Sequence, residues 1–449
     1  MTPGARLQAA IDLLREIHEG TAPADRAAAA YFRNRRYIGG KDRREVLDHA
    51  YGVLRRRAAL DWWIARSGAD IADRERARVI AKLLLIDNWS GDRLAGGFDG
   101  GQYRPAMLDN AERHLVRQLA GQQLNSPDQP QAVRLEYPDW IGSQLADVFG
   151  DRIETEMEAA LDEAATDLRV NALKANRDEA IAALARDGVE AVPTALSPLG
   201  LRVKGRPPLA TLDSFKSGLV EVQDEGSQLV ALLADPKPGM RVVDFCAGAG
   251  GKTLALAAQM QNKGKLIACD VLQGRVDRAA TRLNRAGVFN VERRGLSSER
   301  DPWVKRHAGT FDRVLVDAPC SGTGTWRRNP DARWRLKPGD IGELSDLQRR
   351  ILESAARLVK PGGRLIYATC SLLPAENTDH LAWIAEHLPE FELLPLPEVW
   401  AEAIGTPCPV AGPTLSLTPA RNGTDGFFAA VFRRDGAVST ETSATEAVA

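Results

Sequence analysis

From Val220 onward the chain alternates short apolar strands with helices, and this regularity limits the fold more than any other feature of the sequence. Arg241–Phe245, Leu266–Cys269, Arg313–Val316 and Arg364–Thr369 read as strands. Gly251–Met260, Arg275–Ala286 and Leu344–Leu358 read as the helices between and after them. Such alternation predicts an α/β fold with a parallel, doubly wound sheet. Two strands end in a particular way. Asp317-Ala-Pro-Cys320 stops one of them, because proline cannot continue a central ladder. The other ends in Thr369-Cys370-Ser371. Both cysteines should therefore stand just past the carboxyl ends of strands, where open α/β sheets bind their ligands.

The turn after the first strand, Cys246-Ala247-Gly248-Ala249-Gly250-Gly251-Lys252, is rich in glycine. It lets a ligand approach the backbone and the amides of the next helix. Gly-Lys-Thr is present, yet the glycine a phosphate-cradling loop needs five residues before Gly251 is Cys246, so this is not a P-loop. Asp270 closes the next strand and is placed to accept both hydroxyls of a ribose. Adenosine without a phosphate clamp points to S-adenosylmethionine.

That cofactor gives the two cysteines a use. Carbon 5 of cytosine is too weak a nucleophile to take a methyl group directly. A thiolate that adds to carbon 6 turns the ring into an enamine, whose carbon 5 can attack. A base must then remove the carbon 5 proton so that the thiol can leave. Asp317 is placed to supply a proton near N3, and Cys320 and Cys370, on consecutive strands, can face one flipped-out base. On the residues alone the two cysteine roles are interchangeable. A redox pair or half a metal site would explain neither Asp317 nor the glycine loop. Cys246, Cys269 and Cys408 read as small buried side chains.

The remainder of the 449 residues allows two or three domains at about 150 residues each, with a net charge of only −1. Residues 1–124 read as all-helical, with Leu7, Ile11, Leu14 and Val46, Ala50, Val53 at helical spacing. Residues 31–57 hold nine Lys/Arg against three acids. They form either a solvated helix face or a phosphate-binding surface. A proline-bearing linker at Asn125–Pro130 precedes a small α/β module over 131–219. On or near its first strand, Arg169 and Asn171 are candidates to touch single-stranded RNA. Arg327 and Arg328, with Arg333 and Arg335, are candidates to hold phosphates, and Trp326 or Trp334 to stack on a base or pack in a core. The catalytic domain spans 220–434, and 435–449 reads as a disordered tail. No run is suited to crossing a membrane, no secretory signal opens the chain, and no cysteine spacing suggests a metal. A reducing cytoplasm is the expected setting.

These motifs resemble the Sun/Fmu family of RNA 5-methylcytosine methyltransferases, of the ribosomal RNA small-subunit methyltransferase B type. The resemblance rests on Gln223-Asp-Glu-Gly-Ser-Gln228, Asp317-Ala-Pro-Cys-Ser-Gly-Thr-Gly324, Ala368-Thr-Cys-Ser371 with Glu376-Asn377, and Asp425-Gly-Phe-Phe428. Leu168-Arg-Val-Asn171 is similar to the strand opening the family's RNA-binding subdomain, and Tyr37–Arg57 resembles a NusB-like helical domain. The resemblance implies a class I SAM-dependent methyltransferase with a Rossmann-like sheet. It further implies that Cys370 is the nucleophile and that Cys320 assists release. Cys246 to Lys252, Asp270 and Asp317 would line the cofactor site, with Lys252 near the reacting centre. RNA, ribosomal in this type, would be the partner. Two departures stand out: Gly248-Ala249 replace the family's alanine-proline, and residues 290–298 lack an aspartate for the adenine amino group. The rivals are an RNA-binding factor without catalysis, and a DNA or transfer-RNA methyltransferase with the same chemistry.

Overall fold

Amphipathic spacing and strong caps build the N-terminal helices. Pro3–Glu19 starts on Thr2, whose hydroxyl accepts the amide of Ala5. Arg74–Leu85 starts on Asp73, and Asn110–Leu119 on a reciprocal Asp109–Glu112 capping box. Their apolar faces, with those of Gly40–Arg55 and Arg57–Arg66, meet in one core of Leu7, Ile11, Leu14, Val46, Leu60 and Ile80. The computed structural model describes residues 1–436, so the expected tail falls almost wholly outside the described residues.

The chain forms two compact units, Met1–Glu163 with Thr325–Pro338, and Ala164–Gly324 with Gly339 onward. The proline-bearing segment expected as a linker does not part them. Gln129 bonds to Ser126 and Leu124 there, and the helices Gly142–Phe149 and Ile153–Ala159 stay with the first unit. The segment 325–338 also differs from expectation. Arg333, expected at phosphates, is buried and donates to the carbonyls of Glu136 (2.8 Å) and Ala160 (3.2 Å). Trp326 is 1% exposed and is a core residue. Arg327 is buried, with its carbonyl accepting from Arg55 at 2.9 Å, and Arg328 is half-buried. The same core encloses Glu136, whose carboxylate caps the helix Arg57–Arg66 through the amides of Ala58 and Ala59. Burial pushes that carboxyl up to about 7 against those two bonds.

The second unit holds two sheets. The smaller is antiparallel in the order β2–β3–β1–β4, from β1 (Thr166–Val170), β2 (Ala191–Pro193), β3 (Gly200–Val203) and β4 (Val220–Val222). Leu168 and Val170 face the capped helix Arg177–Arg186 in a small core, while Asp167 and Arg169, alternating with them, have polar partners.

The larger sheet is built from β5 (Arg241–Asp244), β6 (Lys265–Asp270), β7 (Val291–Gly295), β8 (Phe311–Asp317), β9 (Val359–Thr369), β10 (Phe391–Leu393), β11 (Leu415–Leu417) and β12 (Phe427–Arg434). Its order is β10–β12–β9–β8–β5–β6–β7, with β11 also on β12. Strands β5 to β9 are parallel, and β12 runs antiparallel to β9. The five parallel strands make the expected doubly wound sheet, with β7 added to the four strands read from the sequence. Val242, Leu266, Leu315 and Ile366 fill one face, and Val243, Ile267, Val314 and Leu365 the other. The chain passes from β5 to β6 and β7 and then returns to β8 on the other side, so the crevice opens at the carboxyl ends of β5 and β8.

Candidate active site

Four strand ends converge there: the glycine loop after β5, Asp270 at the end of β6, Asp317 at the end of β8 with Cys320 just past it, and Cys370 after β9. The two sulfurs lie 3.4 Å apart. Register explains the meeting, since Asp317 pairs with Ala368 on neighbouring parallel strands. Gly324 then threads beneath, its amide on the Cys370 carbonyl (2.9 Å) and its carbonyl on the Gly426 amide (2.8 Å). A Cβ on Gly324 would fall 2.3 Å from the Gly426 oxygen, so no other residue fits this crossing.

The Cys320 thiol is pushed well up, first by its hydrogen bond with Cys370, then by burial and by the nearby charge of Glu376. Cys320 therefore keeps its proton at neutral pH. Burial likewise raises the thiols of Cys246 and Cys269, neither of which approaches the pair in any hydrogen bond. Lys252 Nζ sits 2.7 Å from Asp317 Oδ2 and 5.3 Å from the centre of the Phe427 ring. The expected residues Lys252, Asp317, Cys320 and Cys370 thus come to one edge of one sheet.

The loop Cys246–Gly251 fits adenosine and a sulfonium on three observations. Gly248 has φ +56° with open space beyond it. Asp270 accepts the amides of Gly248 (2.9 Å) and Leu272 (2.8 Å), one on each oxygen, and a carboxylate has lone pairs left for two hydroxyls. Val271 and Leu272 beside it are 55% and 53% exposed, an apolar surface suited to a purine. Beneath the loop, Asp244 accepts the Thr253 hydroxyl at 2.7 Å on one oxygen and has no partner on the other.

Burial pushes the Asp244 carboxyl up to about 7. The folded chain therefore holds a proton that the unfolded chain releases near pH 4. The stability it contributes is complete at low pH and is lost as pH rises through about 7. Asp244→Asn, neutral throughout, is expected to match wild type near pH 4. At pH 8 it should exceed wild type by about 3–4 kcal/mol, measured by urea unfolding of the ligand-free protein. Equal stability at pH 8 would mean that Asp244 is readily ionised in the fold.

Arg169 and Asn171, expected at RNA, have protein partners instead. Arg169 is buried and donates to Gln223 Oε1 and to the Gly251 carbonyl (2.9 Å). Asn171 spends its amide on the carbonyls of Gly218 (2.9 Å) and Ala286 (2.8 Å). Both side chains fasten the small sheet to the glycine loop and to the helix Gln273–Ala286. The Gln223–Gln228 motif is part of this joint: Gln228 bonds to Leu168 and Ser197, and Glu225 to the amides of Leu196 and Ser197. Sequence reasoning assigned no role to Glu376, which is fully buried between the two cysteine loops. Its place six residues after Cys370, directly before Asn377, was the available signal.

Family models match along most of this second unit. Residues 231–433 match the 16S rRNA methyltransferase RsmB/F model, and residues 137–210 match an RsmF/B-like ferredoxin-like domain. A Synechocystis protein described as a probable ribosomal RNA small subunit methyltransferase B is 31% identical, over 95% of this chain and 99% of its own. Ribosomal RNA small subunit methyltransferase B of Klebsiella pneumoniae is 30% identical, over 87% of this chain and 90% of its own. The crystal structure of PH0851 superposes with a TM-score of 0.79 at 30% identity, over 97% of this chain and 99% of that one. With a glycine loop that fits S-adenosylmethionine and two thiols in contact at the sheet edge, the chain belongs to the RsmB/F family of 16S rRNA methyltransferases and is an S-adenosylmethionine-dependent rRNA methyltransferase.

Proposed function

We propose that the protein methylates carbon 5 of one cytosine in ribosomal RNA, with Cys370 as nucleophile and Cys320 serving product release. The observation that carries this reading is the 3.4 Å contact between the two thiols beside the Lys252–Asp317 pair. The cofactor, when bound, supplies an electrophilic methyl group. Cys370, its thiol proton passing to solvent, adds to carbon 6, and the Lys252–Asp317 pair provides the proton that N3 takes up and receives it back when Cys370 leaves. The choice of Cys370 as nucleophile follows the family resemblance, and Cys320 holds its own proton in the resting site. A group with that affinity for a proton, once its own has passed to solvent, suits removal of the carbon 5 proton as the bond between Cys370 and carbon 6 breaks.

RNA placement falls to surfaces that remain open. On the helical unit, Arg33, Arg36, Lys41 and Arg44 are exposed around Tyr37, which is 75% exposed, whereas Arg55 is taken up by carbonyls. This corner offers cations for phosphates and a ring for stacking. The family supports action on RNA in the cytoplasm.

The test is incubation with methyl-labelled S-adenosylmethionine and 16S rRNA, both free and in small-subunit particles, followed by nucleoside analysis. Labelled 5-methylcytosine at a single position is the expected product. Label in another nucleoside, or none on either substrate, would overturn the assignment.

A further inference from the structure

Glu376 is 0% exposed, and its carboxylate gathers both cysteine loops. One oxygen accepts the amide of Ser321 (2.8 Å) and Gln348 Nε2 (3.0 Å). The other accepts the hydroxyls of Ser321 and Ser371. Ser321 and Ser371 are the residues that directly follow Cys320 and Cys370. A single buried carboxylate therefore grips the neighbour of each thiol, and charge-assisted bonds of this kind are about twice as strong as neutral ones. Glu376 is itself held. Gln348 also donates to the Pro319 carbonyl (2.9 Å) and shares a 2.8 Å bond with His380, and Tyr367 donates to the Glu376 carbonyl (2.6 Å). Burial lowers His380 to about 4, so it is neutral and donates to Gln348 Oε1.

This clamp has a stereochemical consequence. A planar ring held between two sulfurs needs them roughly 7 Å apart, twice an ordinary atomic contact distance. At 3.4 Å the thiols stand side by side instead. They can then reach adjacent ring atoms, carbon 6 and carbon 5, from one face. The carbon 5 proton must lie on that face when the methyl arrives from the other.

We propose that Glu376 is a positioning residue for this reaction, holding Cys320 and Cys370 side by side on one face of the target base so that product release depends on it. The proposal rests on the reading of the two cysteines given above. No bond to substrate is assigned to Glu376. Its nearby charge also helps keep the Cys320 thiol protonated between turnovers.

Two measurements on Glu376→Ala and Glu376→Gln test it. The first uses no RNA: diamide oxidises the two thiols to a disulfide and is itself reduced to the hydrazine, and peptide mapping follows the Cys320–Cys370 bond. Wild type should crosslink readily, and Glu376→Ala about 10-fold more slowly, with Glu376→Gln between them because it keeps the shape. The second is single turnover on RNA. Release should slow about 10- to 100-fold, the cost expected of a misplacement near 1 Å. A denaturation-resistant RNA adduct should build up, with KM for S-adenosylmethionine within about 2-fold of wild type. If Glu376→Ala fails to fold by circular dichroism, Ser321→Ala, which removes one arm of the clamp, should give the same slowing of the crosslink. Wild-type rates of crosslinking and release in a folded variant would overturn the proposal. So would a loss of turnover with neither adduct nor slower crosslinking. Wild-type protein that makes no 5-methylcytosine would defeat the underlying reading instead, and the crosslinking rates would still report on the clamp.

Discussion

Cys370→Ala is expected to abolish 5-methylcytosine formation, by on the order of 10³-fold or more, and to form no covalent adduct with RNA. Cys320→Ala is expected to behave differently. It should still add to carbon 6 and receive the methyl group, and then stall, because no base stands ready for the carbon 5 proton. Denaturing gels of enzyme with labelled RNA would therefore show a retarded band for Cys320→Ala and none for Cys370→Ala. The two substitutions are close in cost to the fold, since both side chains are half-buried and neither belongs to the strands themselves. An adduct in Cys370→Ala and none in Cys320→Ala would reverse the roles. That outcome would place the nucleophile on the proline-cysteine loop and make the raised Cys320 thiol a property of the resting site alone.

The second large effect concerns stability. Arg333→Met should lower the unfolding free energy of the first unit by about 3–5 kcal/mol, because removing one member of a buried charged group leaves the rest uncompensated. The carbonyls of Glu136 and Ala160 would lose their donor, and the Glu136 carboxylate the nearest strong positive charge. Burial has already lowered Arg333 to about 9, with the charge of Glu136 acting the other way. Urea unfolding followed by tryptophan fluorescence is well suited, since the Trp326 ring lies 5.1 Å from the guanidinium carbon. A phosphate-binding arginine would give the opposite pattern: unchanged stability, weaker RNA binding, and a salt dependence reduced by about one charge.

Arg333 also shows where reading a sequence stops. Four arginines within nine residues beside a catalytic motif look like a basic surface, and nothing in their spacing says that one points inward. Whether an arginine meets phosphate or carbonyl depends on residues roughly 170 to 200 positions away, here Glu136 and Ala160. Arg169 and Asn171 are similar. Strand alternation correctly set them apart from Leu168 and Val170, but the face they occupy turned out to be a joint with the glycine loop. The expected linker at 125–130 carried the right residue types for a boundary, yet compactness is a property of many contacts, and these put the division at Glu163.

Residue order alone was enough to read the parallel sheet, the edge where its crevice opens and the side chains brought to that edge. Each follows from local rules: apolar runs buried on both faces make parallel strands, proline and glycine end them, and ends of parallel strands share an edge. How those side chains stand to one another depends on long-range packing. The 3.4 Å between the thiols and the four bonds on Glu376 join residues up to 55 positions apart. Distances of that kind are set by the register of β8 on β9 and by the close crossing of Gly324 and Gly426, which no local pattern encodes.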